Sequence, residues 1–435
     1  MRMKELVTSA LDSVLDKDTE IELEEILEQP CASFHAWRAL GLKSEDLSDV
    51  RRDLLRREVE REFDKTLRTY LSGAYKDGFV AAEESVYVSD KVSCRVLGSI
   101  GAYNKSFVFS CYTDAPYVMH VRGAQKAVGG FLASLLHHTN ISYMVLVNRS
   151  TLAWQVWTIK VEGQDLRKAL TQDADYIEGI SLGLAPPEGI KEECLLCRYS
   201  ADCDVEDKFV AKPYPLHTVT ATANHYMTEK LNDYLVSLND VDDGRNTGFL
   251  SPSEMSISNC DRRMVYKIRR TPRKAKIEPG LRRVFDMGHA VHEVIQRLMH
   301  QKSEEFESET KAVVQNTLIS GSCDGVLSPE GLEIKSISNA GFLKLKSPKS
   351  DHKKQGATYA RAFGLSKMLF VYYDKKTGDY ACFYDTPSEE NANETVARAL
   401  RVEKMAKEER LPPRKVGWGC DTCAYKYTCK PEEEG

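Results

Sequence analysis

Two stretches of the chain set apolar residues on either side of a polar turn, and each reads as a β-hairpin. The first is SYMVLVNRSTLAWQVWTIK, residues 142–160, and the second is KMLFVYYDKKTGDYACFYD, residues 367–385. A third pattern has the helical period: in GHAVHEVIQRLM, residues 288–299, Val291, Val294, Ile295 and Leu298 form one apolar stripe with His292 at its border. Between this helix and the second hairpin, the run VVQNTLIS and the segment LEIKSI read as strands, with Asp324 in a Gly-flanked turn that caps the first. QGATYARAFGL, residues 355–365, reads as a short helix with Gln355 and Tyr359 at i and i+4, on one face.

The same order occurs twice. Each copy runs from a charged helix through a strand region, a short helix bearing a Gln, and a hairpin to a final helix before a Pro-Pro pair. The cysteines make the repeat explicit: PPEGIKEECLLCRYSADC, residues 186–203, and PPRKVGWGCDTCAYKYTC, residues 412–429, share the frame P-P-x6-C-x2-C-x-Y-x3-C without a gap. Each triplet is one short of the four thiolates a tetrahedral metal or an iron-sulfur cluster takes. Cys31 precedes Cys194 by 163 residues and Cys260 precedes Cys420 by 160. Two four-cysteine sites follow: Cys31, Cys194, Cys197 and Cys203, then Cys260, Cys420, Cys423 and Cys429. The other four cysteines, Cys94, Cys111, Cys323 and Cys382, sit in apolar, strand-like surroundings that suit buried thiols.

These patterns predict an α/β chain of two tandem domains, each a mixed sheet flanked by helices and laced by a four-cysteine site. The boundaries read as 1–205 for the first domain, 206–246 for a turn-rich linker and 247–435 for the second. Charge divides the same way, net -11 over residues 1–246 and +6 over 247–435. The second half is therefore the better partner for a polyanion. No apolar run is long enough for a membrane helix, and the opening MRMKELVTSALDSVLDKDTE is too acidic for a signal peptide, so a cytoplasmic chain without a membrane partner is expected.

The chemistry gathers in the second copy. Glu333 and Lys335, two apart in a strand, share a face beside Asp324. Two carboxylates repel unless a cation sits between them, and carboxylate oxygens are hard ligands for Mg2+ or Mn2+. The lysine offsets charge on a phosphate or orients water. Alone, D-x8-E-x-K is common in charged sequences and also describes a solvated hairpin with a surface ion pair.

The full order does more. Cys260, His292, Asp324, Glu333-Ile334-Lys335, Gln355-x3-Tyr359 and the triplet Cys420, Cys423 and Cys429 together resemble the iron-sulfur branch of the PD-(D/E)XK nucleases, which includes RecB-type and AddB nuclease domains and CRISPR-adaptation exonucleases. The resemblance spans the second domain. It implies a restriction-endonuclease-like fold and hydrolysis of DNA that depends on Mg2+ or Mn2+, exonucleolytic and on single-stranded ends, in replication, recombination or repair. His292, Asp324 and Glu333 would then be metal ligands and Lys335 the catalytic lysine, with Gln355 and Tyr359 as the last motif. Cys260, Cys420, Cys423 and Cys429 would hold a 4Fe-4S cluster, which four-thiolate spacing alone does not separate from zinc. The family's Pro after the first cysteine is here Asp261. A non-catalytic DNA-binding or assembly subunit and a spacer-acquisition nuclease are the competing readings.

Phosphate contacts are expected from the basic run 261–283, through Arg262, Arg263, Lys267, Arg269, Arg270, Arg282 and Arg283, and from KLKSPKSDHKK. Tyr266 and Phe285 fit base stacking less well than core packing. No G-x-x-x-x-G-K-[ST] is present, so the chain carries no P-loop motor. In the first copy, ungapped alignment sets Gly101 at the place of Asp324, and Ser110 and Tyr112 at those of Glu333 and Lys335, with Gln125 echoing Gln355. The first copy is thus expected to be silent, serving as a DNA clamp, a strand guide or a docking surface for a replication or recombination protein, and its acidity favours docking.

Overall fold

The computed structural model of the chain describes residues 2–13, 21–22, 47–81, 86–87, 92–101, 105–114, 121–135, 140–162, 167, 218–240, 248–257, 260–273 and 275–429. It divides into two units, one formed by Val14–Tyr234 and the other by Met1–Ser13 together with Leu235–Gly435. The first helix, α1 (Met3–Asp12), thus belongs with the C-terminal half.

In the 14–234 unit, a long helix α2 (Leu47–Tyr75) leads into a six-stranded sheet. In chain order its strands are β1 (Phe79–Ala81), β2 (Gly98–Ile100), β3 (Ser106–Thr113), then after helix α3 (Gly123–Leu135) β4 (Ile141–Asn148), β5 (Trp154–Val161) and β6 (Val219–Ala223). They lie side by side in that order, all antiparallel except the β3–β4 pair. α3 bridges those two parallel strands, as a parallel crossover requires. One core lies on the α3 face of the sheet, where Phe109, Cys111, Met144, Leu146 and Ile159 pack with Ala127, Phe131 and Leu132.

The segment read as a linker, 206–246, includes a strand and a helix among its described residues. β6 pairs with β5, and the helix α4 (His225–Ser237) follows it, with the unit boundary falling inside that helix. Thr228 and Asn232 of α4 tie down Gln155 and Trp154 of β5. The turn-forming sequence is confined to its tail, and alternation in VTATA gave too short a signal to stand out.

The second unit opens with α5 (Pro252–Ile257) and α6 (Asp261–Ile268). The 22-residue helix α7 (Pro279–His300) begins with Pro at its first turn and ends with Arg297 and His300 near its carbonyls, both favourable placements. Val291, Val294, Ile295 and Leu298 are fully buried along its inner stripe, as their spacing requires. The sheet follows: β7 (Glu307–Val313), β8 (Ser320–Leu327), β9 (Glu330–Ile337), then, after helix α8 (Ser350–Phe363), β10 (Lys367–Asp374) and β11 (Tyr380–Asp385), with α9 (Glu389–Lys407) closing the unit. The strand order is again sequential, with one parallel pair, β9 and β10. β10 is apolar on both faces, which suits an interior strand of a covered sheet. Both sheets therefore contain a run of antiparallel, antiparallel, parallel and antiparallel pairs around a crossover helix.

Asp324 lies within a strand. The Gly-flanked stretch belongs to β8, where the glycines serve close approach. A side chain at Gly325 would strike the Phe306 ring at 2.4 Å, and one at Gly321 would strike the Pro252 ring at 2.7 Å.

α1 completes this unit. Met3, Leu6, Val7, Ala10 and Leu11 have no solvent exposure, and the helix packs against α7 and β9. Its first turn is held by the sheet: the Met3 N–H donates to Oε2 of buried Glu330 at 2.8 Å, and the Lys4 N–H donates to Tyr384 Oη at 3.0 Å. Tyr384 in turn donates to Glu330 at 2.8 Å. A carboxylate thus meets the positive end of a helix dipole.

Candidate metal centre

The site forms where β8 and β9 part. Their ladder pairs Leu327 with Glu330, Val326 with Gly331 and Gly325 with Leu332, and goes no further. One residue beyond, the Asp324 side chain takes over: its Oδ2 accepts from the Ile334 N–H at 2.6 Å. The gap between the strands is thus bridged by a carboxylate.

α7 brings His292 to the same point. Its Nε2 lies 3.0 Å from the Ile334 carbonyl, and its Nδ1 lies 3.4 Å from Asp324 Oδ1. A carbonyl only accepts, so Nε2 is the protonated nitrogen. Burial lowers the histidine's pKa, which keeps the ring neutral. Nδ1 then offers a lone pair that faces a carboxylate oxygen, an arrangement satisfied by a proton or a metal cation between them. Glu309 of β7 joins the group: ligand atoms of His292, Glu309 and Asp324 all lie within 4.8 Å of one another. No sequence pattern singled out Glu309, since its place depends on strand pairing.

Glu333 and Lys335 point to the α8 face of β9. Lys335 Nζ pairs with Glu333 Oε1, and Gln355 of α8 donates from Nε2 to the same oxygen at 2.7 Å. Glu333 Oε2 and Gln355 Oε1 are buried without any hydrogen-bond partner. Two orphan acceptors in one pocket fit a hydrated divalent cation, whose ion and water protons satisfy such oxygens. His292, Glu309, Asp324 and Glu333 are the residues that would hold it, and an all-oxygen-plus-imidazole donor set suits Mg2+ or Mn2+.

Burial pushes the Asp324 and Glu333 carboxyls up to about 7, the second also through repulsion from Asp324. Burial opposes the charge of Lys335, but Glu333 and Asp324 outweigh it and raise its pKa. The unfolded chain releases the two carboxyl protons near 3.8 and 4.5, whereas the folded chain keeps them to about 7. Between those limits the folded state binds more protons, so without metal these groups favour folding less as pH rises. Melting in EDTA is expected to lose more Tm from pH 5 to pH 8 in the parent than in Asp324→Asn/Glu333→Gln. An equal loss in both would mean that the two carboxyls are not buried acids.

Tyr359 is brought near by the same helix. Only 4% exposed, it donates its hydroxyl to the Ser322 carbonyl at 2.5 Å, which fastens α8 to β8. His352, one turn before Gln355, stacks on Tyr372 with ring centroids 5.6 Å apart and shares a 2.8 Å hydrogen bond with its hydroxyl.

Much of the basic run is engaged within the unit. Lys267 pairs with Glu254, and Arg263 lies 3.8 Å from the same carboxylate. Arg269 donates to the carbonyls of Met405, Ala406 and Arg410 at the end of α9, where a cation complements the helix dipole. Arg283 is buried, Arg262 donates to Tyr266 Oη at 3.2 Å, and Arg282 lies 3.5 Å from Asn239 Oδ1. Arg270 is exposed. Lys267, Arg269 and Arg283, three of the residues expected to meet phosphate, thus lie engaged or buried within the unit. Tyr266 is a core residue, packed at 5.5 Å on Tyr425, while Phe285 is 42% exposed.

Cys260 caps the start of α6, and Cys420, Cys423 and Cys429 lie in successive turns near the C-terminal end. Ala275 N–H bonds to the Ala424 carbonyl at 3.1 Å, so the turns rest against the segment that follows α6. Burial raises the Cys423 thiol pKa, with Cys260 and Cys429 among the nearby thiols that add to it. All four are of intermediate exposure. Cys31, Cys194, Cys197 and Cys203 lie outside the described residues.

Among the described residues of the 14–234 unit, the equivalent strand face carries no acid pair. β3 residues on the face equivalent to Glu333 and Lys335 are Phe107, Phe109, Cys111 and Thr113: Phe109 and Cys111 pair with Met144 and Leu146, as Glu333 and Lys335 pair with Phe370 and Tyr372. Ser110 and Tyr112, the counterparts in an ungapped alignment, project to the opposite face. There Tyr112 Oη donates to Asp64 at 2.7 Å, beside the ion pairs Arg95–Asp64 at 3.3 Å and Arg149–Glu60 at 2.6 Å. Gly101 lies on the turn side of its ladder, and Leu97 stands one residue beyond the last pair, as Asp324 does. Gln125 is buried and accepts from the Arg122 N–H at 3.0 Å.

No family model matches the chain, and no curated protein does. Among solved structures, it is similar to the crystal structure of SSO0001, with 18% identity over 47% of this chain and 96% of that one, at a TM-score of 0.31. It is also similar to the alkaline exonuclease LHK-Exo from Laribacter hongkongensis, with 12% identity over 41% of this chain and 93% of that one, at a TM-score of 0.32. The same enzyme in complex with dAMP gives 15% identity over 38% and 90%, at 0.31. Each likeness is partial.

Proposed function

We propose that the unit containing residues 235–435 is a Mg2+- or Mn2+-dependent DNA nuclease that acts on single-stranded ends. The observation that carries this reading is the convergence of His292, Asp324, Glu333 and Lys335 where two strands part, with orphan acceptors on Glu333 and Gln355. A divalent ion held there would supply Lewis acidity toward a phosphodiester oxygen and a water of lowered pKa. Lys335 places a fixed positive charge beside the site where phosphorane charge develops. Gln355 Oε1 is an acceptor able to orient the proton of an attacking water, and His292, through the Ile334 carbonyl, fixes its Nδ1 toward Asp324.

Four cysteines, Cys260, Cys420, Cys423 and Cys429, are proposed to hold a 4Fe-4S cluster that clasps the two ends of the unit, with zinc as the alternative. The 14–234 unit, whose equivalent strand face is apolar, is proposed as a silent copy that docks a replication or recombination protein. Among the described residues, no helix is long and apolar enough to cross a membrane, and a cytoplasmic setting is proposed.

The test is digestion of end-labelled linear single-stranded and duplex DNA by anaerobically purified protein, with Mg2+ or Mn2+ and with EDTA. The parent is expected to degrade DNA only with metal, and Asp324→Ala to lose about 10^2- to 10^3-fold, a magnitude typical for removing preorganised electrostatic stabilisation. Equal digestion by parent and variant would assign the cleavage to a contaminant.

A further inference from the structure

Gln296 carries a role that the proposed reaction does not assign. It stands one turn after His292 on the inner face of α7 and is 7% exposed. Its Nε2 makes two hydrogen bonds, donating to Glu309 Oε1 at 3.0 Å and to the Asp324 carbonyl at 2.7 Å. One buried amide thus ties together β7 and β8 at the two residues that join His292 in the candidate cluster.

The backbone at Glu309 gives an independent sign that this carboxylate is placed on purpose. Its φ is +51, a left-handed conformation rare for a residue with a side chain and rarer inside a strand. The β7–β8 ladder pairs Ser308 with Gly325 and Thr310 with Cys323, but skips the pair between them, Glu309 with Asp324. Strained positions persist where surrounding contacts over-determine them, and they gather at functional sites. A surface glutamate in a regular strand needs neither the turn of the backbone nor a buried amide to hold it.

Building on the nuclease reading, we propose that Gln296 is a positioning residue that holds Glu309 toward Asp324 and His292, so that the three close on one divalent cation. The amide has the right chemistry: its two N–H donors meet a carboxylate and a carbonyl, and it adds no charge to compete with the ion. Partners that orient a ligand typically contribute a factor of about 10 to 100 in metal affinity.

The experiment is Mn2+ binding to the full chain, followed by electron paramagnetic resonance of the free ion, with no DNA present. Gln296→Met keeps the shape of the side chain and removes both donors. It is expected to weaken Mn2+ binding by about 10- to 100-fold, to the level of Glu309→Ala, and the double variant should be no weaker than Glu309→Ala alone. Unchanged affinity in Gln296→Met, or full additivity in the double variant, overturns the role. Should Gln296→Met fail to fold, Glu309→Ala tests the same link from its exposed end, and parent-like affinity there overturns it as well. Asp324→Ala separates the two readings: if it loses Mn2+ while Gln296→Met does not, the metal centre stands and Gln296 is structural. If Asp324→Ala binds as the parent does, the cation reading fails and takes this role with it.

Discussion

Lys335→Met is expected to lower the rate of DNA cleavage by at least about 10^2- to 10^3-fold, the scale found when a charge or donor aimed at the transition state is removed. The side chain sits in a buried ion pair with Glu333, and both Glu333 and Asp324 hold it in its charged form. On the proposed reading, taking it away removes a fixed positive charge beside the reacting phosphate, and it leaves two carboxyls in a buried site with less opposing charge. Their protons should then leave at higher pH, so the residual activity should rise over a more alkaline range than the parent's. Lys335→Arg should not restore the rate, because a planar guanidinium cannot replace a compact ammonium against one carboxylate oxygen in a filled pocket. Initial rates on end-labelled single-stranded DNA across pH, with circular dichroism to confirm folding, provide the check. More than a tenth of parental activity in a folded Lys335→Met protein would reduce the lysine to a structural counter-ion.

The second large effect is on folding. Deleting residues 1–13 is expected to unfold the unit built from residues 235–435, although more than two hundred residues separate the two in sequence. Met3, Leu6, Val7 and Leu11 are wholly buried, and each such side chain contributes about 1.5–3 kcal/mol. Together they rival the whole net stability of a domain, about 5–15 kcal/mol. The deletion also strips Glu330 of the Met3 N–H and exposes the faces of α7 and β9 on which α1 packs. Leu6→Ala is the graded version, expected to cost about 2–5 kcal/mol and to lower Tm by several degrees. Hydrogen exchange read on α7 and β9 should show protection lost in the deletion and reduced in the point variant. Full protection after deletion would show that α1 is dispensable to the fold.

Both expectations turn on how the chain is assembled, and the sequence was informative about some of this. Period-3.6 apolar spacing located α7 and the inner stripe on it, and alternation located both hairpins. Local rules suffice there because a buried stripe must repeat with the geometry of its own element. Two side chains two apart on one strand share a face whatever the fold, so Glu333 and Lys335 were legible as a pair. The eighteen-residue cysteine frame exposed the duplication for a similar reason: a repeat is a property of the chain itself.

Other features were decided by tertiary structure. Asp324 was read in a turn because glycines flank it, yet those glycines make room for Phe306 and Pro252 within a strand. Glu309 has no motif, and its proximity to Asp324 arises from pairing between β7 and β8 and from a left-handed backbone. Charge alone does not show that Arg269 meets a helix end and Lys267 a half-buried glutamate. An ungapped alignment put Ser110 and Tyr112 in the place of the acid and the lysine, whereas strand pairing sets them on the opposite face. A single-residue slip reverses every side chain in a strand, and only the paired neighbour fixes the register. The sequence by itself determined which elements form and which side chains share a face. Tertiary structure decided which strands part around Asp324, which charges face inward, and that a helix from the start of the chain closes the unit at its end, because long-range burial and pairing have no signature in local spacing.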